Sequence, residues 1–148
     1  MFKHILLPTD GSKFADRAIT QGMKLAKSMG AKITLFSVAP DFLMIAGDVF
    51  AVPASIKLRQ RYDWEARQRA EKMLAAIERR AARAGLKVES VVAVSDLPYQ
   101  EIIKIARKRK CDLIVMASHG RRGLSRLLLG SETVKVLTHS RIPVLVVR

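Results

Sequence analysis

Two short stretches hold polar, charged and glycine residues in close spacing. The first is Pro8-Thr9-Asp10-Gly11-Ser12, which sets a carboxylate beside two hydroxyls in a turn. The second is Ala117-Ser118-His119-Gly120-Arg121-Arg122-Gly123, running on to Gly130-Ser131. Glycines there permit positive φ and let backbone N–H groups approach an anion. Gly130-Ser131 precedes a helical pattern, whose first turn offers unpaired N–H donors and the positive end of the helix dipole. Arg121, Arg122 and Arg126 raise the local positive potential. This is anion-binding chemistry, phosphate above all, although an ordinary strand-to-helix loop with turn glycines accounts for the same residues equally well. Neither a Walker loop nor a dinucleotide GxGxxG fingerprint is present. No Ser-His-Asp set, metal-ligand cluster or nucleophile elbow emerges. A binding module is therefore expected rather than an enzyme.

The elements that carry these loops follow from apolar periodicity. Lys3 to Pro8 is a short apolar run stopped by proline, a buried strand. Lys13 to Met29 repeats apolar residues at helical spacing and stops at Gly30, with Asp10 a candidate N-cap. Ala31 to Ala39 is a second strand, and residues 40–55 form an apolar loop suited to covering a site or a partner. Ile56 to Ala84 is a long amphipathic helix with Trp64, Ala70, Met73, Leu74 and Ile77 on one face and a Glu65–Arg69 pair on the other. Leu86 to Val94 is a third strand. Ser95-Asp96-Leu97-Pro98 starts a helix that ends among Lys104 to Lys110. Asp112 to Ala117, Ser131 to Thr138 and Ile142 to Val147 complete the chain as strand, helix and strand. Such alternation argues for one α/β domain over residues 1–148, a doubly wound parallel sheet with helices on both faces. Ligands bind such sheets at the strand ends where the order reverses, so the two loops should face each other there.

The 148 residues include 27 Lys and Arg against 13 Asp and Glu, a formal net charge of +14. Residues 57–87 carry net +6 and residues 101–148 net +8. With 49% hydrophobic residues the chain is no disordered basic tail. Aromatics at 5% weaken a base-stacking platform, so a nucleic-acid partner is not the first expectation. No apolar run approaches the ~20 residues of a membrane span. One cysteine, Cys111, and no signal peptide pattern fit a cytoplasmic protein, with Cys111 inert beside a buried strand.

PTDGS after the first strand, ASHGRRGLSRLLLGSET after the fourth and a terminal IPVLVV resemble the universal stress protein family over essentially the whole chain. Its nucleotide-binding members carry Gly, two residues, Gly, nine residues, Gly, then Ser or Thr. Here Gly120, Gly130 and Ser131 match, and Ala117 stands at the first glycine. The resemblance implies a Rossmann-like five-stranded sheet of order 3-2-1-4-5. It also implies a site for ATP, or for ADP, AMP or cyclic AMP, with Mg²⁺ or Mn²⁺ as a companion of the phosphates. Asp10 would take the ribose. Pro8, Thr9, Val38 and neighbouring Ala39 would line the base, and Met116 and Ala117 would lie beneath the nucleoside. His119, Gly120, Gly130 and Ser131 would hold phosphates, with Arg121 beside them and Glu132 and Thr133 at the helix start. Glu132 departs from the family's usual apolar residue. A carboxylate there repels phosphate unless it turns away or meets a metal, and it also simply suits a first helical turn. The resemblance implies a homodimer through the last strand, with Val144, Leu145 and Val146 at the contact. The competing expectations are a nucleotide-free dimer acting through its surface and a non-specific nucleic-acid binder.

Overall fold

The structure, a computed structural model, describes residues 1–41, 56–121 and 128–148. The expected loop residues 42–55, and with them Arg122, Gly123, Arg126 and Leu127 of the second loop, lie outside the described residues. The elements run β1 (His4–Pro8), α1 (Lys13–Met29), β2 (Lys32–Ala39), α2 (Ile56–Arg83), β3 (Val88–Val94), α3 (Pro98–Lys108), β4 (Leu113–Ala117), α4 (Ser131–His139) and β5 (Val144–Val147). The sheet is parallel throughout in the order β3-β2-β1-β4-β5, the order that the family resemblance implies.

Alternation in β1 divides the core. Ile5 and Leu7 point to the face where Ile19 and Met23 of α1 and Leu74 of α2 pack. Leu6 points to the other face, with Phe36 and with Ile102, Ile105 and Val136 of α3 and α4. α1 lies so close to β1 that a Cβ on Gly22 would collide with the Leu7 side chain. Its N-cap is Ser12, whose Oγ accepts from Ala15 N at 3.1 Å, rather than Asp10. That leaves the Asp10 carboxylate available to the loop.

Three local expectations change. α2 buries Ala66, Ala70, Leu74 and Ala81, small residues that seat it close to the sheet. Trp64 is 62% exposed, because it stands about 200° round the helix from Ala66. Glu65 pairs with Arg61 at 3.1 Å instead of Arg69. β5 begins at Val144, since Ile142 N is taken by Ser140 Oγ at 3.0 Å and Pro143 has no N–H to offer.

The helix exits differ in one respect. α1 and α2 end on left-handed glycines, Gly30 (φ 65) and Gly85 (φ 75). After α3 the left-handed position is Lys110 (φ 55), where a side chain costs roughly 1 kcal/mol.

Candidate functional site

The carboxyl ends of β1, β2, β3 and β4 open into a cleft of about 560 Å³, within the range of small-molecule sites. Its floor is apolar: Pro8, Phe36, Val38 and Met116 from the strands, with Pro98 and Ile102 from α3. Its mouth is polar and carries Thr9, Asp10, His119, Arg121, Ser131, Glu132, Thr133 and Lys135. All the residues expected at the site line it except Ala39. That residue follows Val38 by one step, so it faces the opposite side and packs on Ala66 and Ala70 of α2. Ala15, Pro40, Ser95, Asp96 and Lys135 also line the cleft and were not expected there.

Asp10 ties the two loops together. Its Oδ1 accepts from Ser12 N at 2.9 Å and its Oδ2 from Arg121 N at 2.8 Å. Thr9 N donates to Phe36 O at 2.8 Å, and Thr9 Oγ1 accepts from Gly11 N at 3.1 Å. Gly120 lies against the same carboxylate, since a Cβ on it would stand 2.7 Å from Asp10 Oδ2. A carboxylate has about four acceptor sites, so Asp10 retains capacity for a ligand hydroxyl.

The second loop is organised by Ser118. Ser118 N donates to Val147 O at 2.8 Å, and Gly130 N donates to Ser118 O at 2.8 Å. A Cβ on Gly130 would press on Ser118 O at 3.2 Å and His119 Cα at 3.3 Å. Gly120 and Gly130 are thus required for close approach, not for positive φ: Gly130 has φ −61, and Gly120 is not among the positive-φ residues. By the same reasoning the alanine at position 117 carries no backbone cost, because it ends an ordinary strand.

His119 is nearly buried, and both its ring nitrogens are engaged within the chain. Nδ1 lies 2.9 Å from Ser118 Oγ, and Nε2 meets the carbonyl oxygen of Leu128. A carbonyl only accepts, so Nε2 carries the proton. Thr133 Oγ1 donates to Ala117 O at 2.9 Å and pins the first turn of α4 to the end of β4. No side chain caps α4, whose N-cap is Gly130, so its first-turn amides and positive dipole end are open to an anion.

Glu132 borders the cleft, but its carboxylate is engaged within the chain. Its Oε2 accepts from Tyr99 N at 2.9 Å, in the first turn of α3, and its Oε1 lies 3.0 Å from Lys135 Nζ. The carboxylate therefore serves the N-terminus of α3, which has no side-chain cap from its own N-cap residue. Among the described residues no group of three or more His, Cys, Asp or Glu could hold a metal ion, and no helix is long and apolar enough to cross a membrane.

A cleft with an apolar strand-end floor, a carboxylate on one rim and an uncapped helix on the other suits an amphipathic anion. The family model described as the universal stress protein family matches residues 1–148. The chain belongs to the universal stress protein family. Universal stress protein MJ0577 of Methanocaldococcus jannaschii is 32% identical over 161 residues, covering 100% of this chain and 96% of the relative. The solved structure of MJ0577 superposes with a TM-score of 0.85 over 99% of this chain and 96% of that one, at 30% identity. Two more distant members share the fold. One is a universal stress protein solved in complex with cAMP, with a TM-score of 0.71, 22% identity and coverage of 99% and 97%. The other is an Arabidopsis thaliana member with AMP bound, with a TM-score of 0.67, 16% identity and coverage of 98% and 90%.

Proposed function

We propose that the chain binds an adenine nucleotide in this cleft, ATP or its relatives ADP, AMP and cyclic AMP, and acts as a regulatory binding module of the stress response. The observation that carries the reading is the pairing of the Asp10 carboxylate with the uncapped N-terminus of α4 across an apolar floor. The base would lie on Val38 and Met116, the ribose beside Asp10, and the phosphates against Gly130, Ser131 and Thr133. Family members of the same fold with cAMP and AMP support this class of ligand. Glu132 does not oppose it, since its charge is engaged by Tyr99 N and Lys135. A divalent ion would arrive with the phosphates. The Ser118–His119 contact is buried and the second ring nitrogen of His119 is taken by Leu128 O, so the reading is one of binding, with hydrolysis at most slow and incidental. A cytoplasmic homodimer through β5 completes the reading; Leu145, 44% exposed on that edge strand, is its anchor.

Two measurements test it. Mass spectrometry of small molecules released from freshly purified protein should find an adenine nucleotide, and calorimetry should find submillimolar binding. No released nucleotide, and no heat with any of the four, would leave a nucleotide-free dimer acting through its surface. For the dimer, Leu145→Glu should give a monomer by light scattering, and an unchanged dimer removes β5 as the contact.

A further inference from the structure

The far end of the sheet from the cleft carries a row of lysines. Lys3 immediately precedes β1, Lys32 opens β2 and Lys87 immediately precedes β3. Lys32 N donates to Lys3 O at 3.0 Å and Ile33 N to Lys87 O at 2.9 Å. The three backbones thus lie side by side at strand spacing, about 4.8 Å apart. Lys32 is in register with His4 and Ile33 with Val88, so Lys32 and Lys87 share the sheet face on which α3 packs. At this end α3 and its exit add Arg107, Lys108 and Lys110, and all six cations are exposed.

These cations lack partners, unlike many on α2. There Arg59 meets Asp41, Arg61 meets Glu65, Arg67 meets Glu71 and Arg80 meets Asp16. None of the six has a carboxylate within 4.0 Å of its side chain among the described residues. The acids nearby are engaged: Glu89 with Arg109 and Thr34, and Asp112 with the backbone N–H groups of Lys3 and His4. A helix C-terminus attracts cations, which accounts for Arg107 and Lys108. It does not account for lysines at three adjacent strand starts, nor for a lysine at the left-handed position that the exits of α1 and α2 give to glycine.

We propose that this row is a docking surface for the phosphodiester backbone of double-stranded nucleic acid. Unpaired cations at three adjacent strand starts, Lys32 and Lys87 on the α3 face and Lys3 alternating to the other, make a positive sheet end about 10 Å wide that suits phosphates. No aromatic platform accompanies it: Phe2, beside Lys3, packs against the core, so the surface reads charge and not bases. Leu86 and Val88, flanking Lys87, also turn to the core, and the exposed Met1 before Lys3 is a small apolar area to insert into a lipid surface. The cleft lies at the other end of the strands, so both can be filled at once.

The test compares two triple variants of equal charge change. One is Lys3→Glu, Lys32→Glu and Lys87→Glu. The other, on α2, is Lys57→Glu, Arg69→Glu and Lys72→Glu. Each is titrated into a labelled DNA duplex by fluorescence anisotropy at several salt concentrations, with thermal melting to verify folding. The row variant should lose at least about tenfold in affinity at ~0.1 M salt and flatten the salt slope by about 2–3, while the α2 variant retains most binding. The set Lys3→Gln, Lys32→Gln and Lys87→Gln should show a smaller loss in the same direction and stands in if the first set fails to fold. Equal losses in both triples would reduce the effect to net charge and overturn the proposal. So would absence of wild-type binding at physiological salt. A third overturning result is loss of binding to phosphatidylserine vesicles in the row variant with DNA binding intact, which would make the surface one for membranes.

Discussion

Replacing Gly120 with alanine puts a methyl carbon 2.7 Å from Asp10 Oδ2, where ordinary contact begins at 3.4 Å. The carboxylate must retreat by about 0.7 Å. Its Oδ1 stays anchored on Ser12 N, so the loss falls on the 2.8 Å bond from Arg121 N to Oδ2. A hydrogen bond to a charged group contributes about 1.5–3 kcal/mol when buried; this one is exposed, so about 1 kcal/mol is expected. For a chain of this size that lowers the melting temperature by about 3 °C. Nucleotide affinity should fall about tenfold, equivalent to about 1.4 kcal/mol, because Asp10 no longer stands where the ribose needs it. The decisive measurement is a cycle of Gly120→Ala, Asp10→Ala and the double variant, each followed by calorimetric melting. Among the described residues, the chain neighbours of Gly120 aside, the atoms within 4 Å of the new methyl both belong to Asp10, so in the Asp10→Ala background the alanine should cost less than about 0.3 kcal/mol. If the full cost persists there, the obstacle is not Asp10 and the reasoning fails.

Two further substitutions probe other parts of the molecule. His4 is buried, with Nε2 2.8 Å from Thr34 Oγ1, whose own proton goes to Glu89 Oε1, and with Nδ1 unpartnered. Burial and then Lys32 hold its pKa below 6.5, so the folded state binds fewer protons than the unfolded one. Its contribution is complete above pH 6.5 and is lost as pH falls through the folded-state value. His4→Gln should therefore flatten the decline in melting temperature between about pH 7 and 5, and a slope equal to wild type would remove His4 as the cause. Glu132→Gln should change ATP affinity by less than about threefold, since the charge is turned to α3. Glu132→Ala should cost about 1 kcal/mol in urea denaturation, because Tyr99 N loses its acceptor. A tenfold gain in ATP affinity for the Gln variant would show that the carboxylate faces the phosphates after all.

The sheet was readable because each strand is an apolar run bounded by a glycine, proline or cap. The loops after β1 and β4 were readable because their glycines and acid lie at strand ends. What escaped depends on contacts between distant residues. Ser95 and Asp96 follow β3 with helix-start chemistry alone, and nothing local marks them as a wall of the cleft. Glu132 is resolved only by Tyr99, which lies on a different helix. Ala39 was assigned to the cleft with Val38, yet alternation along β2 sends the two to opposite faces. Gly120 answers to close approach and not to positive φ, since the crowding atoms there belong to Asp10, in the loop after β1.

Ser118 joins β5 to the helix that borders the cleft, through Val147 O on one side and Gly130 N on the other. If β5 pairs with a second copy while α4 holds a nucleotide, the two equilibria share a bonded path only a few atoms long. Coupling of that kind is reciprocal: whatever factor assembly applies to ligand affinity, the ligand applies to assembly. Protein concentration then enters every binding isotherm as a variable. Titrations of one sample at two dilutions should give different apparent dissociation constants, and a monomeric variant will report on a different receptor from the one in the cell.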